Sequence, residues 1–460
     1  MRHLLHLRTQ SPHCLVKLSL KFKEALLVAN LQCQSLSLTL SRVLWVSGFY
    51  LFLQVRFDPW GLFSRVFFLK LNSLTPSVSG IAAFGNSKKA LVPAVSLIIL
   101  MGALSGYNFS LIGRVCALTG ASSYSDAWEK SIGSSSAWIP AMACTGKTFL
   151  ACLAYSMVLG ETFQGLLTAA GIQASRPQTL IGLTLTVILP LCLLKNLAAL
   201  APFSLLGIFG MALTVATMGL RCLDGSYGAT GKYIQDVAKL PIFGSKVFSS
   251  NAIILACMLG TSFMAHFNAP KFYNELENNT IERFNKLVSV SFGTSIAFFS
   301  LAAGFGFATF GESSAGFVLS NYSNKDALVG IAKIAVAFSL IFTYPLVFVG
   351  CRDGTLSLLK VPKEKQTNAT LNNITFALLS LLTYAAINLK DLGFIMSFGG
   401  ATLANALIYV FPAMMFNKIV KDKGAMASAA MKNETYFTTF SMLAGLILGA
   451  IGAKMSIDKL

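Results

Sequence analysis

The chain has 460 residues, 55% of them hydrophobic and only 12% charged, with a mean hydropathy of +0.67. Soluble domains run at about 25% charged, so the composition excludes a soluble enzyme or binding module and indicates an integral membrane protein. The formal charge of +18 does not signal nucleic acid: residues 1–90 hold 11 Lys/Arg against 2 Asp/Glu, and beyond them the basic residues follow the loops between apolar runs, as positive-inside bias dictates.

Residues 1–78 form an atypical basic segment with Ser, Gln and Arg scattered through apolar patches at 43–55 and 60–71. Neither patch reaches the roughly 20 residues that a helical span requires. Residues 79–460 read as one transmembrane domain with ten candidate spans, near 90–113, 137–167, 178–195, 200–220, 250–268, 285–310, 326–350, 373–388, 392–417 and 435–454. Alternating their orientation groups most Lys and Arg, Lys147 among them, on a cytosolic side and puts loops 221–249 and 311–325 outside or in a lumen. Asn321-Tyr-Ser is then the best-placed glycosylation sequon.

The nine cysteines form no CxxC pair and no His/Cys cluster, against a disulfide framework or a zinc site. No GxSxG, Walker or HExxH sequence occurs, so an enzyme is not expected and no cofactor is implied.

Three places could carry chemistry. Ser262 to Asn268 ends an apolar span with small and polar residues, including His266, the one imidazole outside the first thirteen residues. With Pro270 it reads either as a broken helix at a binding site or as a helix C-terminus with His266 against the negative dipole end. Glu161, isolated in its span, suits a proton or charge relay or a carboxylate reaching headgroup water. Thr343-Tyr-Pro345 is expected to interrupt the 326–350 span. Ser339 lies one turn earlier on the same face, and the two hydroxyls suit Na⁺ or simply bond their own helix.

The run Ser262-Phe-x-x-His266 through Tyr273-x-Glu275-Leu276 resembles the sixth-helix motif of the amino acid/auxin permease family, which includes sodium-coupled neutral and vacuolar amino acid transporters. Ser105-Gly-Tyr-Asn-Phe through Trp128 resembles the second helix and its loop. Ala154-Tyr-Ser-Met-Val-Leu-Gly-Glu161 resembles the third helix, and Thr343-Tyr-Pro345 with Arg352 the eighth.

The resemblance implies an all-α polytopic membrane protein with the LeuT-like inverted-repeat fold, in which substrate sits where helices one and six unwind. It implies secondary active transport of amino acids, small and neutral, coupled to Na⁺ or H⁺, in a plasma or vacuolar membrane. Amino acid and lipid bilayer are then the partners. Ser262 and His266 are expected to shape the pocket, Phe263 to gate it, and backbone at Ala265–Asn268 to meet the amino-acid headgroup. Thr343 and Ser339 are the expected ion ligands.

The family's first helix carries a Gly-x-Gly break followed by Leu-Pro. Only Gly80-Ile-Ala-Ala-Phe-Gly85 resembles the tail of that region, and Pro76-Ser-Val-Ser79 matches poorly. A mis-joined or truncated N-terminus lacking half of the site is therefore expected, and an inactive paralogue or a non-transporting amino-acid sensor stands as the alternative.

Overall fold

A computed structural model describes residues 80–81, 84–85, 87–194, 201–237, 240–249 and 252–458. All belong to one compact unit, Pro59–Leu460. The expectations for residues 1–78 and for the break in the first helix lie outside the described residues.

Helices fill each of the ten expected spans. They are α1 (Leu91–Thr119), α3 (Trp138–Ala169), α4 (Arg176–Cys192), α5 (Ala201–Leu223), α6 with α7 (Ala252–Ser262 and Ala269–Glu275), α8 (Ile281–Phe310), α9 (Ala327–Leu358), α10 (Asn368–Asn388), α11 with α12 (Leu392–Gly399 and Phe411–Lys423) and α13 (Ala429–Ile457). A short helix, α2 (Tyr124–Ser131), fills the loop after α1. Eight of the spans are long and apolar enough to cross a membrane; Arg176–Cys192 and Gly207–Leu223 are shorter apolar helices.

Local chemistry sets the helix ends. Ser123, Thr280, Asp391 and Ser428 each accept a backbone N–H from the first turn that follows them, satisfying a donor that the helix itself cannot pair. Ser175 and Gln178 form a reciprocal capping box at the start of α4. At the far end of α1, Gly120 takes φ 64°, a left-handed conformation that stops a helix at little cost only without a Cβ.

α3 lies along α9, α9 along α5, α1 along α8, and α12 along α13. Burial grades the helices from centre to rim. The α6–α7 segment is the most enclosed span, with 83% of its apolar window buried, against 22% for α10 and for α13. Those two helices turn Phe376, Leu381, Leu446, Ile447 and Ile451 outward, as hydrocarbon-facing helices must. At one end Glu434 of α13 accepts from the Tyr107 hydroxyl at 2.6 Å and from Arg114 at 2.7 Å, fastening α13 to α1.

The opposite end is built from the two expected outer loops, which meet directly. Ile242 and Gly311 form a backbone bridge, and Asp326, fully buried, accepts both Nε and Nη2 of Arg221 at 2.8 Å. Tyr227 donates its hydroxyl to Asp326 at 3.1 Å and accepts the Ser323 N–H at 3.2 Å. Burial, then the Asp326 charge, raises the Tyr227 pKa, so the phenol stays a donor.

Three expectations are corrected. Pro345 lies inside a continuous α9 and does not interrupt it; a proline removes one helical hydrogen bond, and the buried packing of Tyr344, Pro345 and Val347 holds the helix together. Asn321 is 3% exposed, with its carbonyl oxygen bound by Ala315 N–H and its amide donating to Ser313, both at 2.8 Å, which leaves no room for a glycan. Lys147 is 5% exposed inside α3 and belongs to no loop.

Candidate functional site

α6 stops at Ser262, the chain leaves helical geometry through Phe263–Ala265, makes a single 3₁₀ turn at His266–Asn268 and resumes as α7 at Ala269. The helix is therefore broken here rather than simply ended. Pro270 sits in the first turn of α7, where its missing N–H has no helical partner to lose. Short-range bonds run through the break: Phe263 N–H to the Leu259 carbonyl at 2.8 Å, Met264 N–H to the Thr261 carbonyl at 3.3 Å and Asn268 N–H to the Ala265 carbonyl at 2.9 Å. The carbonyl end of α6, which carries the negative end of its dipole, is thus held deep in the most buried span.

Two faces of the break have different chemistry. Ser262, at the end of α6, is fully buried and donates to the Met258 carbonyl of its own helix at 2.9 Å, and the residues after it meet α8 and α1. Phe263 packs on Phe299 with ring centroids 4.9 Å apart, and a Cβ on Gly102 would come within 2.8 Å of its ring, so α1 can approach only as glycine. His266 places Nε2 2.9 Å from the Ser105 carbonyl of α1. A carbonyl only accepts, so Nε2 carries a proton. Phe109 stands edge-on to the imidazole at 5.4 Å. Ala265 is buried and Asn268 is half-buried.

Towards α3 and α11, the Lys147 ammonium donates to Thr261 Oγ1 at 3.2 Å, and Thr261 donates to the Met396 carbonyl at 2.8 Å. Beyond Gly399 the helix widens into two π-helical segments, Gly400–Ala404 and Ala406–Val410, a device frequent at functional sites. Gly400 bears on the Cys257 carbonyl of α6 so closely that any side chain would collide with backbone. Asn405, between the π segments, is 2% exposed, neither of its amide atoms finds a hydrogen-bond partner among the described residues, and its Oδ1 lies 3.6 Å from where a Gly260 Cβ would stand.

Sequence reasoning missed Lys147, Thr261 and Asn405. Lys147 carried the one usable signal, because a lysine nine residues inside a span is a functional candidate by default. Asn405 had none, since its surroundings come from the π segments.

Ser339 and Thr343 are both fully buried on α9, and the Thr343 hydroxyl donates to the Ser339 carbonyl at 2.7 Å. That is ordinary helix back-bonding. α9, which carries both hydroxyls, packs chiefly on α3 and α5. Glu161 stands apart from the break, on the wall of a cavity of about 470 Å³ near the outer loops. Among the described residues no group of three or more His, Cys, Asp or Glu could hold a metal ion.

A family model for transmembrane amino acid transporter proteins matches residues 88–455. The chain is 22% identical to the amino acid transporter AVT6E of Arabidopsis thaliana, over 87% of this chain and 84% of that one. It is 27% identical to the sodium-coupled neutral amino acid symporter 2 of Danio rerio, over 56% and 55% of the two chains. The crystal structure of MhsT in complex with L-phenylalanine superposes with a TM-score of 0.53 at 13% identity, covering 88% of this chain and 99% of that one. The architecture is therefore the LeuT-like fold.

Proposed function

Because the chain belongs to the transmembrane amino acid transporter family, we propose that it is a secondary active carrier of small neutral amino acids, driven by Na⁺ or H⁺, and not an enzyme. It is an integral membrane protein of the plasma or vacuolar membrane. The observation that carries the reading is the break between α6 and α7: unwound backbone in a bilayer is tolerated where it is buried in protein or lines a cavity, and in secondary transporters such discontinuous helices form the substrate and ion sites.

In this reading, backbone at Ala265–Asn268 meets the ammonium and carboxylate of the substrate. Ser262 and His266 shape the pocket from the α1 side, and Phe263 gates it by leaving its seat on Phe299. Thr343 and Ser339 supply oxygen ligands if the coupling ion is Na⁺, and Glu161 relays a proton if it is H⁺. The named relatives are transporters, which does not favour a non-transporting sensor.

The test is uptake of radiolabelled L-alanine into proteoliposomes by Ser262→Phe and by the milder Ser262→Ala. The expected outcome is loss of saturable uptake in the first and a raised KM in the second, with both proteins monodisperse. Unchanged uptake in both would remove the site.

A further inference from the structure

The turn that joins α12 to α13 carries a charge imbalance in which the transport site has no part. Between residues 417 and 436 the chain holds four lysines, Lys418, Lys421, Lys423 and Lys432, against two carboxylates, Asp422 and Glu434. Both carboxylates are engaged. Asp422 pairs with Lys418 one turn away, and Glu434 takes Arg114 at 2.7 Å and the Tyr107 hydroxyl at 2.6 Å. Among the described residues no ion pair forms at Lys421, Lys423 or Lys432. The short helix α2 also packs on α12, but it meets the opposite end, with Trp128 on Phe411, and its Asp126 is held by Lys130.

The register of the hairpin brings the three lysines to one level. Asn417 of α12 donates to Thr439 at 3.0 Å and accepts the Thr438 hydroxyl at 2.6 Å, tying the two helices side by side. Counting outward from that tie at 1.5 Å per residue, Lys423 and Lys432 each lie about 9 Å beyond it and Lys421 about 6 Å beyond it. Met426, 86% exposed, projects from the 3₁₀ turn between them.

α13 decides which surface that level belongs to. Its 29 residues run about 43 Å, longer than a hydrocarbon core of roughly 30 Å, so its ends reach the headgroups. Lys432, Tyr436, Phe440, Leu443 and Ile447 recur at steps of three and four, share one helix face, and are all exposed. That face is the one turned to lipid. Leu443 and Ile447 meet hydrocarbon, Tyr436 stands at the depth of an interfacial aromatic belt, and Lys432, one turn farther out, reaches the phosphates.

We propose that the α12–α13 turn is a binding site for an anionic phospholipid, with Lys421, Lys423 and Lys432 around its headgroup and its acyl chains along Tyr436 and Phe440. Charge sets the class. A zwitterionic headgroup brings its own ammonium and gains little from three uncompensated lysines, whereas a phosphoserine or phosphoinositol headgroup neutralises them. The apolar face that continues from Lys432 along α13 would be left unused by a soluble phosphate. Basic residues assign this end to the cytosol, the side on which anionic lipids concentrate and on which lysine clusters beside a span bind them. The inference is independent of which solute the protein carries.

The test is native mass spectrometry of the full chain in mixed micelles, titrated with phosphatidylserine or phosphatidylcholine. Each lysine near an anionic surface contributes roughly fivefold in affinity, so the wild type is expected to prefer phosphatidylserine by about a hundredfold. Lys432→Gln should lose about fivefold, and the triple variant Lys421→Gln, Lys423→Gln, Lys432→Gln should erase the preference with its thermal midpoint unchanged. Lys360→Gln with Lys365→Gln, which removes two exposed lysines of another cytosolic loop, should keep it. Glycerophosphoserine, the headgroup without chains, should not compete. Equal affinity of the wild type for the two lipids overturns the proposal, as does a triple variant that keeps the preference or a loop variant that loses it as fully. Competition by glycerophosphoserine would overturn it in favour of a site for soluble phosphate esters.

Discussion

Asp326→Ala offers the most quantitative test of how the outer end is built. The carboxylate is fully buried and accepts Arg221 twice at 2.8 Å, Tyr227 at 3.1 Å, and the N–H groups of Leu328 and Val329 at 3.1 and 3.4 Å at the start of α9. Losing a helix cap costs about 1 kcal/mol, and losing the Tyr227 bond to a charged acceptor about 1.5 kcal/mol. Breaking a buried ion pair costs roughly 3–5 kcal/mol when the partner is stranded. Here the Arg221 side chain is 19% exposed and keeps Asp224 at 2.7 Å, so we take about 2 kcal/mol. The expected total is about 4.5 kcal/mol, a large share of the roughly 5–15 kcal/mol that holds a protein folded. Reversible unfolding in mixed micelles, run as a double-mutant cycle with Arg221→Ala, would read a coupling of about 2 kcal/mol. A single-mutant loss below about 1 kcal/mol, or strictly additive mutants, would refute the account.

Lys147→Met should trade function against stability. A lysine deep in a span costs roughly 2.5–3.5 kcal/mol and its bond to Thr261 returns about 2 kcal/mol, so the variant should gain about 1 kcal/mol in the same unfolding assay while alanine uptake falls; a destabilised variant would show that the ammonium is better compensated than its single hydrogen bond implies. Asn321→Gln should lose about 2 kcal/mol as two buried hydrogen bonds break, and intact-mass spectrometry of the wild type should find no glycan at Asn321. Asp224 supplies a pH signature. Burial pushes its pKa up, but donors from Ser226 and the Arg221 charge outweigh that and hold it below the usual carboxylate range. Its contribution is therefore complete above the unfolded value of about 3.9 and is lost as pH falls through the lower native value. Thermal midpoints between pH 6 and 3 should drop less steeply for Asp224→Asn, and equal slopes would exclude the linkage.

The sequence alone determined the membrane class, the ten apolar spans and the place of the break, because these follow from local quantities: the length of apolar runs, and a polar, proline-bearing stretch where a lipid-facing helix could not carry one. Those same local cues misled at Pro345. A proline signals a break only where packing does not override it, and α9 is clasped by α3 and α5. A sequon likewise reads as a surface signal, yet Asn321 is consumed inside its own loop.

Tertiary structure decided what lies beside the break and where the outer charges point. Thr261, Lys147, Met396 and Asn405 come from three separate spans, and no spacing along the chain encodes their meeting. Glu161 and Lys333 lie 172 positions apart in the sequence, and each alone reads as a residue seeking the interface. They line one cavity only because the end of α3, the loop 315–324 and the first turns of α9 come together there.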